Sequence, residues 1–373
     1  MKILQLGKYY PPDIGGIETV MYDITECLNK SNITCDVLCS NSTNIYKEDI
    51  INGYKIYRVA TYGKFASTSI APQMIFKLRE IINNYDIIHI HFPDPLTNIA
   101  LMLANHHNKK IVLHWHSDII KQKYLLKLYL PFQSWLLKRS NSIIATTPKY
   151  IDESPYLQKY KEKCVAIPIG IDKNNLQFDT TKVNKIRSKY KNKKIIFSLG
   201  RLTYYKGFEY LIKSAEYLDD NYIILIGGSG ELKYDLEVLI KINKLENKVI
   251  LLGRIEEEEL GNYYKACDIF CLSSIEKSEA FGIVQIEAMS FSKPIVATNI
   301  KGSGVDWVNE HNISGINVSP KNSKELANAF IHICKDKQIY EQFCINANER
   351  FNTLFLRQSM NSKILNLYKS LLN

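Results

Sequence analysis

The sequence predicts an α/β protein made of two open, doubly wound, Rossmann-like parallel sheets in tandem. Three observations point there. Short, continuously apolar runs alternate with helical patterns along the whole chain, as buried parallel strands and their crossovers do. The pattern restarts after a polar stretch over about 170–193. Finally, 373 residues exceed the size at which one hydrophobic core stops growing, so two domains of roughly 150–200 residues each are expected.

The elements follow in order. KILQLG (2–7) is an apolar run ending in glycine, and IETVMYDITECLNK then sets Ile17, Val20, Met21, Ile24 and Leu28 on one helical face. ITCDVLC and YKIYRVA read as strands, and a helical pattern runs over about 72–84. DIIHIH (86–91) precedes a helix from about Thr97, and KKIVLHWH (109–116) one over about 122–139. SIIATT (142–147) and KCVAIP (163–168) complete the first half. The polar stretch 170–193 is the expected linker, with room for one short helix. IIFSLG, YIILIG, VILLG, DIFCLS and PIVAT recur beyond it as strands, with helices between them. EEEELGNYYKA places acids where a helix N-terminus favours them, and a last helix is expected from Leu356 to Leu372. The resulting boundaries are 1–172, 173–355 and a terminal segment 356–373.

Composition narrows the function. Hydrophobic residues at 46% and charged residues at 23% are ordinary globular usage, which excludes disordered and fibrous classes. Mean hydropathy is −0.17, and no apolar run approaches the 18 or so residues of a membrane span. MKILQLGKYYPP is too short of basic and apolar residues for a secretory signal. A cytoplasmic protein is the expectation. The eight cysteines (27, 35, 39, 164, 267, 271, 334, 344) include no CxxC pair, so they read as small buried hydrophobes rather than metal ligands or disulfides. Net charge is +10, with +6 through Lys173 and +4 beyond it. An anionic substrate, a membrane surface or plain Lys-rich composition accounts for that excess. Nucleic acid is not expected, because no helix-turn-helix, Arg-rich run or zinc-finger spacing accompanies it.

Open α/β domains bind ligands outside the carboxyl ends of their strands, so the residues standing there are the candidates. After the first strand come Gly15 and Gly16, a turn into a helix where amides can approach an anion; a GG pair alone is equally a plain turn. His89 and His91 end one strand and His114 and His116 another, and alternation puts His114 and His116 on one side with Trp115 on the other. Of these His116, with Asp118 just after it, is the favoured site residue. In the second half Arg201 follows IIFSLG and Lys206-Gly207 precede a helix, a pair of cations suited to phosphates. In SSIEKSEAFGIVQIEAMS, Glu279 and Glu287 stand eight apart. A helix starting near Phe281 would leave the amides of Gly282, Ile283 and Val284 open to phosphate. Both carboxylates can accept from sugar hydroxyls, whereas Glu276 reads as a solvated loop charge.

PPDIGGIE, LHWHSD, IPIGID, GRLTYYKGFEYLI, GGSGE, LLGRI and EAFGIVQIEA together resemble the retaining GT-B glycosyltransferases of family 4, the group 1 transferases that include bacterial mannosyl- and glucosyltransferases. The resemblance spans essentially the whole chain. It implies that Arg201 and Lys206 grip the donor diphosphate and that Glu279 holds the donor sugar. Glu287 would take the ribose, and Gly282, Ile283 and Val284 would give amides to the phosphates. The backbone of Arg254 and Ile255 would border the base, and Gly15 and Gly16 would close over diphosphate and sugar. His116 would stand at the transferred sugar, and the last helix would cross back to the first domain. Ile169 departs from the family, which usually has Asn there.

The implied reaction moves a hexose from a nucleoside diphosphate sugar (GDP-mannose favoured, a UDP-sugar next) to a saccharide or polyprenyl-linked saccharide. Such a reaction belongs to bacterial surface polysaccharide and O-antigen synthesis. Retention implies same-face attack, with the leaving phosphate taking the acceptor's proton, and Glu279 is not the nucleophile. No metal or other cofactor is expected, since side chains supply the positive charge. Lys121, Lys123, Lys127, Lys138 and Arg139 interleave with Tyr124, Tyr129, Phe132 and Trp135, a candidate peripheral surface for anionic lipid; ordinary helix packing explains the same apolar residues. Two other readings stand beside the transferase, a non-hydrolysing nucleotide-sugar epimerase and a non-catalytic nucleotide-sugar-binding subunit. The first lacks an acid/base pair outside Glu279 and Glu287, and the second is disfavoured because every key polar position is filled.

Overall fold

The computed structural model describes residues 1–13, 15–66, 68–120 and 123–373. They form two compact units, Met1–Ile169 with Ser359–Asn373, and Gly170–Gln358.

The strands of the first unit are β1 (Lys2–Gly7), β2 (Thr34–Ser40), β3 (Lys47–Ile51), β4 (Tyr54–Val59), β5 (Lys64–Phe65), β6 (Thr68–Ser69), β7 (Ile87–Phe92), β8 (Lys110–Trp115), β9 (Ser142–Ala145) and β10 (Cys164–Ala166). Its crossovers carry α1 (Gly16–Lys30), α2 (Gln73–Ile81), α3 (Pro95–Leu103), α4 (Lys123–Arg139) and α5 (Pro148–Glu153). The main sheet runs β10-β9-β8-β7-β1-β2-β4-β3. Winding reverses between β1 and β7, which makes their carboxyl ends the natural ligand crevice of this unit. β1 presents Ile3, Leu4 and Leu6 wholly buried on both faces, as a central parallel strand must. α1 buries Val20, Met21, Ile24 and Leu28, the face its periodicity predicts.

The second unit holds β11 (Lys194–Leu199), β12 (Tyr222–Gly227), β13 (Val249–Gly253), β14 (Ile269–Leu272), β15 (Ile295–Thr298) and β16 (Gly315–Val318). Its helices are α6 (Thr180–Lys189), α7 (Phe208–Ser214), α8 (Lys233–Ile242), α9 (Glu257–Ala266), α10 (Ile283–Ser290), α11 (Val305–Val308), α12 (Ser323–Cys334) and α13 (Lys337–Leu354). The sheet order β13-β12-β11-β14-β15-β16 puts the reversal between β11 and β14. Ile196, Ile224, Ile226, Leu211, Ile212 and Phe330 lead its core. The last helix, α14 (Arg357–Leu372), has nearly all its residues in the first unit and buries Met360, Ile364 and Tyr368.

Five features depart from the sequence expectation. The first sheet is mixed: β3 pairs antiparallel with β4, because KEDII is a charged edge strand whose alternation hides it among loops. β16, only four residues long, and the β5–β6 hairpin were not expected either. The polar stretch 170–193 is no free linker. Arg187 of α6 grips the buried Asp268 with two bonds of 2.8 and 2.9 Å, and the Asp179 amide donates to Asn262 at 2.7 Å, so this segment folds onto the second unit. Helix α10 begins at Ile283 rather than near Phe281. Gly282 is its N-cap at φ 76°, ψ 68°, a left-handed conformation that favours glycine.

Candidate active site

In the second unit, site residues leave the carboxyl ends of β11, β13 and β14. Arg201 follows β11, is exposed, and makes no ion pair among the described residues. The strand end it occupies is packed by the GGSG turn: Gly228, at φ +137°, lies so close to the Gly200 carbonyl that a Cβ would collide with it. Lys206 closes a short 3-10 turn, Tyr204–Lys206, and its Nζ meets Glu279 Oε2 at 2.5 Å. Both side chains are 11% exposed. Burial opposes the Lys206 charge, but Glu279 and Tyr205 together outweigh it and the pKa is raised, so Lys206 stays an ammonium. Ser274 Oγ donates to the same Glu279 oxygen at 2.9 Å, and Ser303 Oγ donates to the Glu279 carbonyl at 2.5 Å. The acidic loop is therefore fixed at both its side chain and its backbone.

Just beyond, the amides of Gly282, Ile283 and Val284 find no intramolecular acceptor among the described residues, while the Gln285 amide turns back to the Gly282 carbonyl at 2.9 Å. Those three groups carry the positive end of the α10 dipole. Glu287, on the second turn, accepts from Tyr264 Oη at 2.5 Å, and burial raises its pKa. Arg201 and Glu279 both act electrostatically on Lys206, and Lys206 acts on Glu287. The structure thus gathers Arg201, Lys206, Glu279 and Glu287, as their positions at neighbouring strand ends predict. The Arg254 side chain is 71% exposed and faces Glu256 at 3.4 Å. Ile255 packs its Cδ1 against Gly227.

In the first unit, His89, His91, His114 and His116 share one face of β7 and β8, and Trp115 takes the other, stacking on Phe92 at 4.0 Å. The imidazoles form a stack, with centroids 4.7 Å apart for His89–His91, 5.2 Å for His91–His116 and 4.1 Å for His114–His116. Burial drives the pKa values of His89, His91 and His114 well below the usual imidazole value, and that of His116 down to about 3. Burial thus favours the neutral form of all four rings, so His116 offers a hydrogen-bonding group rather than a cation. One ring nitrogen from each of His89, His91 and His114 lies within 4.8 Å of the others. The planes are tilted by only 11–26°, however, so the in-plane lone pairs run side by side instead of converging as metal ligands do.

Asp118 has a structural role: it accepts from Trp115 Nε1 at 3.0 Å and from Ser154 Oγ at 3.1 Å. Gly15 caps α1 in an extended conformation, and Gly16 is the first helical residue. The Glu18 carboxylate stands against Gly15, with its pKa raised by burial. The chain before this turn is held by Arg58, which donates to the carbonyls of Tyr10 at 3.0 Å and Pro11 at 2.5 Å and pairs with Asp49 of β3 at 2.8 Å.

Sequence reasoning missed Gln5, Arg58, Tyr264 and Ser274. Gln5 had a signal, a polar side chain inside an otherwise apolar strand. The rest had none, since their roles arise from tertiary contacts. The basic-aromatic stretch is also redrawn. Lys121 lies outside the described residues. Tyr129 accepts from Asn98 at 2.7 Å, Phe132 stacks on Tyr129 at 6.3 Å, Trp135 meets His106 edge-on, and Arg139 binds carbonyls of His106 and Lys109. These four serve internal packing. Tyr124, Leu125 and Leu128 are the exposed apolar residues of α4, with Lys127 exposed among them. Among the described residues no helix is long and apolar enough to cross a membrane.

Comparison with known proteins agrees with this architecture. A family model described as Glycosyl transferases group 1 matches residues 179–350, and one described as Glycosyltransferase Family 4 matches 14–175. The chain is 31% identical to O-antigen chain mannosyltransferase C of Escherichia coli, covering 100% of this chain and 99% of that protein. It is 30% identical to D-rhamnosyltransferase WbpZ of Pseudomonas aeruginosa, over 95% of this chain and 92% of the relative. Among solved structures, Anabaena Alr3699/HepE in complex with UDP superimposes with a TM-score of 0.81 at 22% identity, covering 99% of this chain and 100% of that one. Sucrose-phosphate synthase from Thermosynechococcus elongatus gives 0.81 at 20% identity, covering 100% and 99%. With two Rossmann-like units in the GT-B fold and full-length relatives of this kind, the chain belongs to the group 1, family 4 glycosyltransferases.

Proposed function

We propose that this glycosyltransferase moves a hexose, with retention of anomeric configuration, from a nucleoside diphosphate sugar to a saccharide or lipid-linked saccharide during surface polysaccharide synthesis. The observation that carries the reading is the Lys206–Glu279 pair, 2.5 Å apart, beside Arg201 and three unpartnered amides at the start of α10. Departure of a nucleoside diphosphate builds negative charge on two phosphates. A preorganised ammonium, a guanidinium and a helix N-terminus are the groups that stabilise such charge without reorganising. Lys206 and Arg201 take the diphosphate in this reading, and the amides of Gly282, Ile283 and Val284 take its remaining oxygens. Glu279 accepts from hydroxyls of the sugar, and Glu287, held by Tyr264, accepts from the ribose diol.

In this reading the Gly15–Gly16 turn approaches the diphosphate and a neutral His116 serves the transferred sugar. This reading uses no carboxylate nucleophile: Lys206 and Ser274 hold Glu279 through Oε2, and its part is to accept from the sugar hydroxyls. The leaving phosphate therefore takes the acceptor's proton as the new bond forms on the same face. Side chains supply the cations, so turnover is expected to survive chelation of divalent metals.

GDP-mannose is the favoured donor. The named sugar of the Escherichia coli relative supports it, and the UDP of the Anabaena structure keeps UDP-sugars next in order. The deciding experiment is a donor screen: release of GDP or UDP from a panel of nucleotide sugars, with and without a mannosylated oligosaccharide, and NMR of the product anomer. Acceptor-dependent release with a retained anomer is the expected result. A free sugar isomer formed without acceptor would instead establish an epimerase, and no release from any donor a binding subunit. Peripheral attachment to anionic membrane is a separate expectation, now resting on Tyr124, Leu125, Lys127 and Leu128. Failure of anionic liposomes to retain the protein at low salt removes it.

A further inference from the structure

Gln5 is a polar side chain in the middle of β1 and is 0% exposed. Its Oε1 lies 2.5 Å from His91 Nε2, and His91 Nδ1 lies 2.9 Å from His116 Nε2. The three residues sit on adjacent strands, Gln5 on β1, His91 on β7 and His116 one residue past β8, and the first of these bonds crosses the point where the sheet reverses its winding. We propose that Gln5 and His91 are positioning residues that fix the tautomer of His116 and leave its Nδ1 as a hydrogen-bond acceptor. This rests on the reading of His116 as the sugar-side residue.

A neutral imidazole has one N–H and one bare nitrogen, so the bond at one edge dictates the chemistry of the other. The Gln5 oxygen can only accept, which puts the His91 proton on Nε2. His91 Nδ1 is then bare and must accept, which puts the His116 proton on Nε2 and leaves Nδ1 with its lone pair. His116 Nδ1 makes no hydrogen bond among the described residues, and the residue keeps 7% exposure, so that edge is the one left for a substrate hydroxyl. The stack keeps the rings from turning over: His114 lies 4.1 Å from His116 and 5.3 Å from His91, centroid to centroid. Burial keeps both rings neutral, the condition under which the chain of bonds has a direction.

Nitrogen-15 NMR of the full-length protein labelled at histidine tests this, because the two ring nitrogens of a neutral imidazole differ by whether they carry the proton. In the wild type His116 is expected to be protonated on Nε2 and bare on Nδ1. Gln5→Glu, which still accepts, keeps that tautomer. Gln5→Met, which offers no acceptor of comparable strength, yields a mixture, and kcat falls about tenfold with the donor KM little changed. Protonation of His116 on Nδ1 in the wild type overturns the proposal, as does an unaltered tautomer in folded Gln5→Met or a stoichiometric metal ion bound through His91. The wild-type spectrum decides the direction by itself, so a variant that fails to fold leaves the test intact. Undiminished turnover in His116→Ala would remove His116 from the reaction without touching the tautomer assignment, which separates failure of this inference from failure of the site reading.

Discussion

At their candidate site residues the two units handle buried polarity in opposite ways. The first stacks neutral imidazoles at its strand ends: His89, His91, His114 and His116 all have pKa values lowered, with burial as the leading cause. The second keeps full charges where burial disfavours them, holding Lys206 as an ammonium beside Glu279. A buried charge survives only next to its opposite, whereas a buried neutral ring costs less and gives direction. The difference matches the two tasks proposed above: a diphosphate needs positive charge held ready, and a sugar needs hydroxyl-sized, oriented hydrogen bonds.

Acid is the strongest way to break that contrast. The folded pKa values of His89, His91, His114 and His116 lie below the ordinary 6.5, so the unfolded chain takes up protons first and stability falls as pH drops below about 6.5. By about pH 5.5 His116, with a folded value of about 3, costs about 1.4 kcal/mol; His89, His91 and His114 act in the same direction, and Asp94, whose shift is opposite, works the other way. Hydrogen exchange resolved by peptide is expected to show the first unit losing protection at about pH 5.5 while the second keeps it. Simultaneous loss in both units would erase the distinction.

Next in size are the cations. Arg201→Ala and Lys206→Ala are each expected to lower kcat/KM about a hundredfold, or about 3 kcal/mol. They differ in stability: Lys206→Ala strands the Glu279 carboxylate and lowers Tm, whereas Arg201→Ala, at an exposed position, leaves Tm unchanged. Equal Tm for the two would deny that the Lys206–Glu279 pair is a buried unit.

Asp94 sharpens the comparison within the first unit. Burial raises its pKa to about 6, Oδ2 has no partner, and Oδ1 caps α3 through the Leu96 amide at 3.2 Å. Above its folded pKa the buried charge is a penalty. Asp94→Asn keeps the cap, removes the charge and is expected to stabilise the protein by about 1–2 kcal/mol at neutral pH, an advantage that vanishes below about pH 4. Thermal melts across pH read it, and an advantage that grows on acidification would reverse the sign. The smallest effect is expected at Arg254. Because its side chain is exposed and the base contact expected there is through backbone, Arg254→Ala should leave turnover within about twofold of wild type.

Much of this was legible in the sequence because parallel strands in a covered sheet are apolar throughout, and the polar residues that interrupt their ends stand out. Arg201, Lys206, Glu279 and Glu287 are found that way, and the structure brings them together. Local pattern also foretold that His114 and His116 share a face. It said nothing of β3, whose charges mark an edge strand only once β4 lies beside it. Nor did it foretell that Tyr129, Phe132 and Trp135 turn inward, since an amphipathic stretch reads the same whether its apolar face meets protein or lipid. Tyr264 on Glu287 and His91 between Gln5 and His116 join residues 23 to 86 positions apart, a separation that only the folded sheet closes.

Calorimetric titration of nucleoside diphosphates against the matching monophosphates bears most directly on the claim that Arg201, Lys206 and the α10 amides hold a diphosphate. The wild type is expected to prefer GDP or UDP over GMP or UMP by about tenfold or more, and Arg201→Ala to lose most of that preference while still binding the monophosphate. Equal affinity for both in the wild type, or a preference that survives in Arg201→Ala, would contradict it.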